Sequence, residues 1–282
     1  MKASDKLSNL TPPSASLGTR TLNWLLLVVV VAFLAVSFRD AGMVDLHRLA
    51  DHSDNTARYL SDYLKPDLGS AQDYTSVGAF FSSDMGRYVA AMWQTIAIAL
   101  WATSMSIVLA VPLSFLCSRN IAPAWVVQPM RTFIALLRAF PDIVLGTAFL
   151  VAVGLGPLAG VLALTVSNTG TLAKLFSEAV ENIETAPVEG VRATGGSRLH
   201  EIVWGVIPQV AALWTSFALY RFESNARSAT VLGLIGAGGI GQLLFDNLNS
   251  FDYRATSAIA LVIVVAVTLI DILSQQIRKR LL

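Results

Sequence analysis

Three residues in the stretch YRFESNARSA carry groups that hold anions: Arg221, Asn225 and Arg227. A guanidinium forks onto two oxygens of a tetrahedral oxyanion, and a carboxamide donates through its N–H2. Asn168 and Thr169, in SNTG, add polar groups inside otherwise apolar sequence. Together they could line the route of an anion through a dry barrier, where an isolated charge is costly. A structural alternative stands beside that chemistry. Arg221 and Arg227 can instead pair with Glu223 and Glu178 or with lipid headgroups, and Asn168 and Thr169 can simply pack between helices. The glycines of GAGGIG, Gly236, Gly238, Gly239 and Gly241, suit a tight re-entrant turn near an external face, because glycine accepts positive φ and close backbone approach. They do not form a dinucleotide fingerprint after a strand, and no Walker A sequence occurs. One cysteine, Cys117, and three scattered histidines, His47, His52 and His200, provide neither a disulfide nor a metal cluster.

The elements that must position these groups are apolar. Of 282 residues, 54% are hydrophobic and 14% charged, against about 25% charged in soluble domains. The pattern predicts an all-α polytopic membrane protein with about six spans, near 22–38, 89–117, 132–153, 157–176, 202–220 and 255–274. Residues 1–21 read as a polar cytoplasmic tail. A cleaved signal peptide is the rival for 22–38, weakened by the length of the apolar run and by the spans that follow. Residues 39–88, with eight aspartates against four arginines and one lysine, suit a periplasmic segment with helical pieces around 44–64. Pro112 is expected to kink the second span. Arg138, Pro141, Asp142, Gly154, Gly156, Pro157 and Gly160 interrupt the third and fourth spans. Broken backbone of this kind is tolerated in a bilayer where protein or water satisfies it, as along a translocation route. Small residues for close helix packing would produce the same pattern. Six spans place Lys2, Lys6, Arg20, Arg119, Arg131, Lys174, Arg192, Arg198, Arg278, Lys279 and Arg280 on one face, the cytoplasm by the positive-inside rule, with both termini there. Arg221, Arg227 and Arg254 fall on the other side. The two halves share no internal repeat. A net charge of +1 offers nothing to nucleic acid.

The segment from Glu189 to Pro208, EGVRATGGSRLHEIVWGVIP, lies in a polar connection at 177–201 between the fourth and fifth spans. Small residues allow one helix to sit close on a partner. Gly195 and Gly196 should end a first helix, and Ser197 should cap a second that has Glu201 near its start. An ordinary amphipathic connecting helix is the plain alternative.

With Glu189, Gly190, Ala193, Gly195, Ile207 and Pro208 in place, this segment resembles the EAA loop of bacterial ABC-importer permeases. The stretches LRAFPDIVLG, VGLGPLAGVLAL, GTLAKLFSEAVENIE, ALYRFESNARSATVLGLIGAGGIGQ and VTLIDILSQQIRKRL extend the resemblance over residues 85–282 to the phosphonate-type permeases of that group. Gly190 stands where the pattern has alanine, and 39–88 matches nothing in it. The resemblance implies a MetI-like permease core with an extra N-terminal helix, in the bacterial inner membrane. Glu189, Gly190, Ala193, Gly195, Ser197 and Pro208 would couple to an ABC ATPase. That ATPase, not this chain, would hold ATP and magnesium, so the chain itself would be no enzyme and carry no cofactor. It also implies a periplasmic substrate-binding protein, a second permease subunit (identical or paralogous) and a cargo of phosphonate, phosphite or hypophosphite. An amino-acid importer permease, as for methionine, shares the loop and fold. An ion-coupled secondary carrier would need a buried carboxylate couple, and Asp142 and Asp271 are the acids near the expected spans.

Overall fold

The computed structural model describes residues 17–40, 53–70, 74 and 76–281, which form two compact units, Met1–Ser61 and Asp62–Leu282. The described residues are helical, with no strand. In the first unit, α1 spans Leu17–Asp40. Its apolar side chains from Leu22 to Phe38 point outward on every side, and none is buried. A helix that is apolar all round needs lipid as its solvent, and 18 residues of mean hydropathy 2.4 are long enough to cross a bilayer. Helix α2, Ser53–Tyr63, falls within the helical stretch expected around 44–64. Most of the expected tail, residues 1–16, and residues 41–52 lie outside the described residues.

The second unit contains α3 (Val77–Ser82), α4 (Asp84–Cys117), α5 (Ala124–Ala139), α6 (Asp142–Val153) and α7 (Pro157–Glu181). These are followed by α8 (Thr185–Ala193), α9 (Arg198–Gly233), α10 (Ile240–Asn249) and α11 (Tyr253–Leu281). Five helices are long and apolar enough to span a membrane: α1, α4, α7, α9 and α11. The α5–α6 pair, which bends by 84° at its break, makes a sixth if the two helices are counted as one span. The count is thus five or six against the six expected from the sequence, and the expected third span is two helices rather than the single run 132–153. The cause is Pro141, which lacks an N–H and pushes Phe140 out of the helical region, to φ −85°, ψ 126°. By contrast, α4 stays one helix through Pro112.

Helix α7 is central and packs against α4, α5, α6 and α9. Its small residues Ala159, Gly160, Ala163, Gly170 and Ala173 are fully buried or nearly so, which lets neighbouring backbones approach. At Gly170 an added Cβ would lie 2.9 Å from the Ile134 carbonyl oxygen and 3.0 Å from the Leu137 Cβ. Around α7, one core cluster gathers Ala110, Cys117, Ile134, Leu172, Phe176, Val210 and Trp214. Phe176 stacks on Trp214 at 4.7 Å between centroids.

One further boundary differs from the sequence reading. Helix α9 continues past 220 to Gly233, so Arg221 and Arg227 lie inside a span and not beyond it. The glycine turn after it is inset from the end of the bundle. Ala226 of α9 and Ile270 of α11 meet in one cluster with Ala99. At about 1.5 Å per residue, α9 runs roughly 10 Å beyond Ala226 while α11 begins roughly 26 Å beyond Ile270. The turn at 234–239 therefore sits about 15 Å short of the start of α11, and the ten residues of α10 cover that gap.

Candidate functional site

A chain of buried polar groups crosses the middle of the bundle. Arg221 donates to Asn168 Oδ1 through Nε at 2.8 Å and through Nη2. Asn168 Nδ2 donates to Asn225 Oδ1 at 2.7 Å, and Asn225 Nδ2 donates to Thr103 Oγ1 at 2.8 Å. The Thr103 hydroxyl closes the chain on the Ala99 carbonyl at 2.7 Å. Asn168, Asn225 and Thr103 are buried. Three spans, α4, α7 and α9, are thus tied by amide and hydroxyl groups. Among the described residues no buried side-chain nitrogen or oxygen lacks a partner, as a low-dielectric interior demands.

Two carboxylates flank this chain. Asp142, in the first turn of α6, accepts from Ser167 of α7 at 2.6 Å and from Ser228 of α9 at 3.1 Å. It thereby clasps the broken helix pair to both neighbours. Glu223 of α9 is buried and accepts from Arg227 Nη2 at 3.0 Å. Arg278 of α11 approaches its other oxygen at 3.6 Å. A buried carboxylate needs such counter-charges.

The sequence candidates divide accordingly. Asn168, Asn225 and Arg221 come together. Thr169 does not, because its hydroxyl bonds back to the Thr165 carbonyl at 2.7 Å. Arg227 pairs with Glu223, as one alternative had it, whereas Glu178 pairs with Lys174 at 3.6 Å and not with either arginine. Thr103, Ser228 and Glu223 were missed as site residues. The small and polar stripe of α4, Thr95–Ala99–Ala102–Thr103–Ser106–Ala110, recurs at three to four residues and marks a close-packed helix face in the sequence. Glu223 also corrects the statement that Asp142 and Asp271 are the acids near spans. Asp271 bonds locally to Gln275.

The inset turn is held from two sides. The Gly239 N–H donates to Gln94 Oε1 at 3.1 Å and the Ile240 N–H donates to Thr95 Oγ1 at 2.9 Å. On the other side the Gly156 N–H donates to the Gly236 carbonyl at 3.1 Å. Gly236, Gly238 and Gly239 have φ of 103°, 77° and 74°, a region that side chains other than glycine rarely enter. Gly241 differs. It is helical, and its place is explained by the Thr230 carbonyl pressed against it.

At the far end of the bundle α8 and the start of α9 form a helical hairpin. Gly195 has φ 80°, and the Gly195 and Gly196 N–H groups return to the Arg192 and Val191 carbonyls at 3.0 and 3.3 Å, which is the expected glycine C-cap. Ser197 precedes α9 as its cap residue, but its hydroxyl meets His200 Nδ1 at 2.7 Å instead of a backbone N–H. Residues 201–206 form a π-helical turn just before Pro208, whose ring nitrogen cannot donate to the helix ladder. Arg192 forks onto Glu201 at 2.9 and 3.0 Å, and that hydrogen-bonded carboxylate raises the guanidinium pKa above its ordinary value. Gln209 and Glu184 exchange bonds of 3.0 and 3.2 Å across the hairpin base. Gly205 packs on Val188, where an added Cβ would come within 3.0 Å of the Val188 Cα. In contrast, Glu189, Gly190 and Ala193 face outward, with nothing within 4 Å of the Gly190 Cβ position. Glu189, Arg192 and Arg198 line a cleft of about 290 Å³ there.

The comparisons with known proteins agree with this architecture. Residues 110–282 match the family described as "Binding-protein-dependent transport system inner membrane component". The chain is 33% identical over 261 residues to the phosphite transport system permease protein PtxC of Stutzerimonas stutzeri, covering 92% of this chain and 89% of that one. It is 41% identical over 189 residues to the phosphate-import permease protein PhnE of Mycolicibacterium smegmatis, covering 67% of this chain but only 36% of that longer relative. Among solved structures, the MetNI methionine ABC transporter in an inward-facing conformation superposes with a TM-score of 0.62 at 21% identity, covering 69% of this chain and 95% of that one. At that identity the likeness speaks for the fold alone. On the family match and the relative that spans nearly its whole length, this multi-span helical chain belongs to the binding-protein-dependent transport system inner membrane components.

Proposed function

We propose that this chain is the membrane-spanning permease subunit of an ATP-driven importer for phosphonate or a related reduced-phosphorus oxyanion such as phosphite or hypophosphite. The observation that carries the cargo class is the 33% identity to a phosphite permease over 92% of the chain. The chemistry of Arg221, held on Asn168 in the middle of the bundle, suits an anionic cargo. Sequence likeness favours phosphorus oxyanions over amino acids, since the methionine transporter shares the fold at only 21% identity.

In this reading ATP and magnesium bind a separate ATPase, and a periplasmic binding protein delivers the cargo. The outward-facing small residues Gly190 and Ala193, with Glu189 beside them, form the surface that seats on the ATPase. The Gly195–Gly196 turn, the Arg192–Glu201 fork and the Gly205–Val188 contact make α8 and α9 one rigid lever, so motion at the ATPase reaches the polar chain around Asn168. The turn at 234–239 is the gate that meets its counterpart on a second permease subunit. Both termini face the cytoplasm. The test is purification of the tagged chain from its native membrane, followed by reconstitution. A co-purifying ATPase, and uptake of phosphite or methylphosphonate that requires ATP and a binding protein, support the reading. Uptake that persists without the ATPase, or competition by methionine alone, overturns it.

A further inference from the structure

Helix α10 ends in a closed hydrogen-bond motif. The Asp252 N–H donates to the Asn247 carbonyl at 3.0 Å, and the Phe251 N–H donates to the Leu248 carbonyl at 3.2 Å. This is the Schellman pairing, whose turning residue takes the left-handed conformation and is usually glycine. Here that residue is Phe251, at φ 58°, the one non-glycine with positive φ among the described residues. A Cβ makes this conformation costly. Burial does not offset the cost, because Phe251 is 73% exposed. Strain kept at an exposed aromatic points to a use for its ring.

The surroundings hold that ring in place. Its centroid lies 6.3 Å from that of Tyr253, edge to face. The segment 65–67 is pinned alongside, since the Asp67 N–H donates to the Arg254 carbonyl and Arg254 Nε donates to the Lys65 carbonyl, both at 3.2 Å. Phe245 and Leu248, one turn apart on α10, are exposed as well. The rim of this apolar patch is acidic: residues 62–70 and 239–254 hold Asp62, Asp67, Asp246 and Asp252 against Lys65 and Arg254. Such a rim is repelled by the phosphates of a bilayer surface and attracted to a cationic protein surface. The opposite face of α10 is anchored, with Ile240, Leu243 and Leu244 packed in one cluster with Met92 of α4 and Ile259 of α11. The helix is therefore a strut. One end is Gly239, which Gln94 holds, and the other end is Phe251.

We infer that the Phe251 corner is the docking point of the delivering binding protein, whose apolar socket, ringed by lysine and arginine, seats over Phe251, Leu248 and Phe245. This deepens the importer reading above and rests on it. The family description implies a binding protein and leaves its seat open. A load on Phe251 passes along the α10 axis to the turn at 234–239, so docking reaches the gate through a helix of ten residues.

The test uses the full permease–ATPase complex in phosphatidylcholine nanodiscs. The probe is the binding protein that supports uptake in the reconstitution above, loaded with methylphosphonate. The readout is its half-saturating concentration for stimulating ATP hydrolysis. Phe251→Gly should raise that concentration about tenfold or more, the loss of one interface anchor. Its melting temperature should hold or rise, since glycine accepts the positive φ. Phe251→Tyr keeps the ring and should dock as the wild type does. Added salt should weaken docking, and docking indifferent to salt overturns the cationic socket. An unchanged half-saturating concentration in Phe251→Gly overturns the docking point while leaving the importer reading intact. A fall in the maximal rate alone assigns Phe251 to the gate and overturns it too. A spin label on Phe251→Cys, in a Cys117→Ala background, that oxygen relaxes and a water-soluble nickel chelate does not, places the side chain in lipid and likewise overturns it. A wild type that takes up no phosphorus oxyanion with any binding protein overturns the importer reading and the docking point together.

Discussion

At the scale of single residues, the middle of this bundle is held by amides where apolar packing would be simpler. Asn168 accepts from Arg221 and donates to Asn225, so it stands at the junction of the chain. Asn168→Leu removes both partners at once and leaves the Arg221 guanidinium and the Asn225 carbonyl unmatched. Each unmatched buried group costs about 1–3 kcal/mol, so the variant should unfold at lower temperature. Cys117 is fully buried and is the one cysteine of the sequence, so a thiol-reactive dye reports that unfolding directly. An unchanged dye-detected melting temperature would show that the amide chain adds no stability. Gly170 makes a second residue-scale case. Gly170→Leu drives a side chain into the Ile134 carbonyl and the Arg138 stem, and overpacking of this kind costs about 1–3 kcal/mol. The same assay reads it, and Gly78→Leu, with nothing within 4 Å of its Cβ position, is the silent control.

At the scale of elements, the α8–α9 hairpin is rigid on its inner side and bare on its outer side. Glu189→Lys reverses an exposed charge without touching the packing, and Gly195→Trp strains the positive-φ turn and adds bulk at the surface. Both should lower ATP-driven uptake about tenfold or more, on the scale of one lost charged contact, while the membrane core melts as before. ATPase stimulation and uptake in proteoliposomes measure this. Normal values in both variants would remove the hairpin as the coupling element. Gly205→Val differs, since its side chain meets the Val188 backbone inside the hairpin. It should loosen α8 from α9 and show in faster amide exchange over 185–193.

At the scale of the whole molecule, the arrangement of the basic residues predicts that both termini lie in the cytoplasm and that residues 39–88 lie outside. Single cysteines placed at the two ends and at Ser70, in a Cys117→Ala background, should label in opposite sense with a membrane-impermeant maleimide added to intact cells. Labelling of either end from outside would invert the topology. The sequence was informative here because span count and fold class depend on long apolar runs and on where arginine and lysine interrupt them. Any folded form must present those runs to lipid, so they are visible without coordinates. The glycine C-cap at Gly195 was legible for a similar local reason, because positive φ is a property of one residue and its neighbours. The partners of Arg221 and Asp142 were not, nor was the Arg278 partner of Glu223. They lie 53, 25 and 86, and 55 residues away along the chain, and which faces of α4, α7, α9 and α11 meet is decided by small-residue packing between helices. Composition and order along the chain thus determined that this protein crosses a membrane several times and carries a glycine-capped helical hairpin before its fifth expected span. Only the tertiary structure decided that Arg221 is held on Asn168 inside the bundle, that Arg227 and Arg278 flank the buried Glu223, and that the glycine turn is inset. A charged sequence survives within a span when distant side chains neutralise it, and sequence periodicity does not register those neighbours.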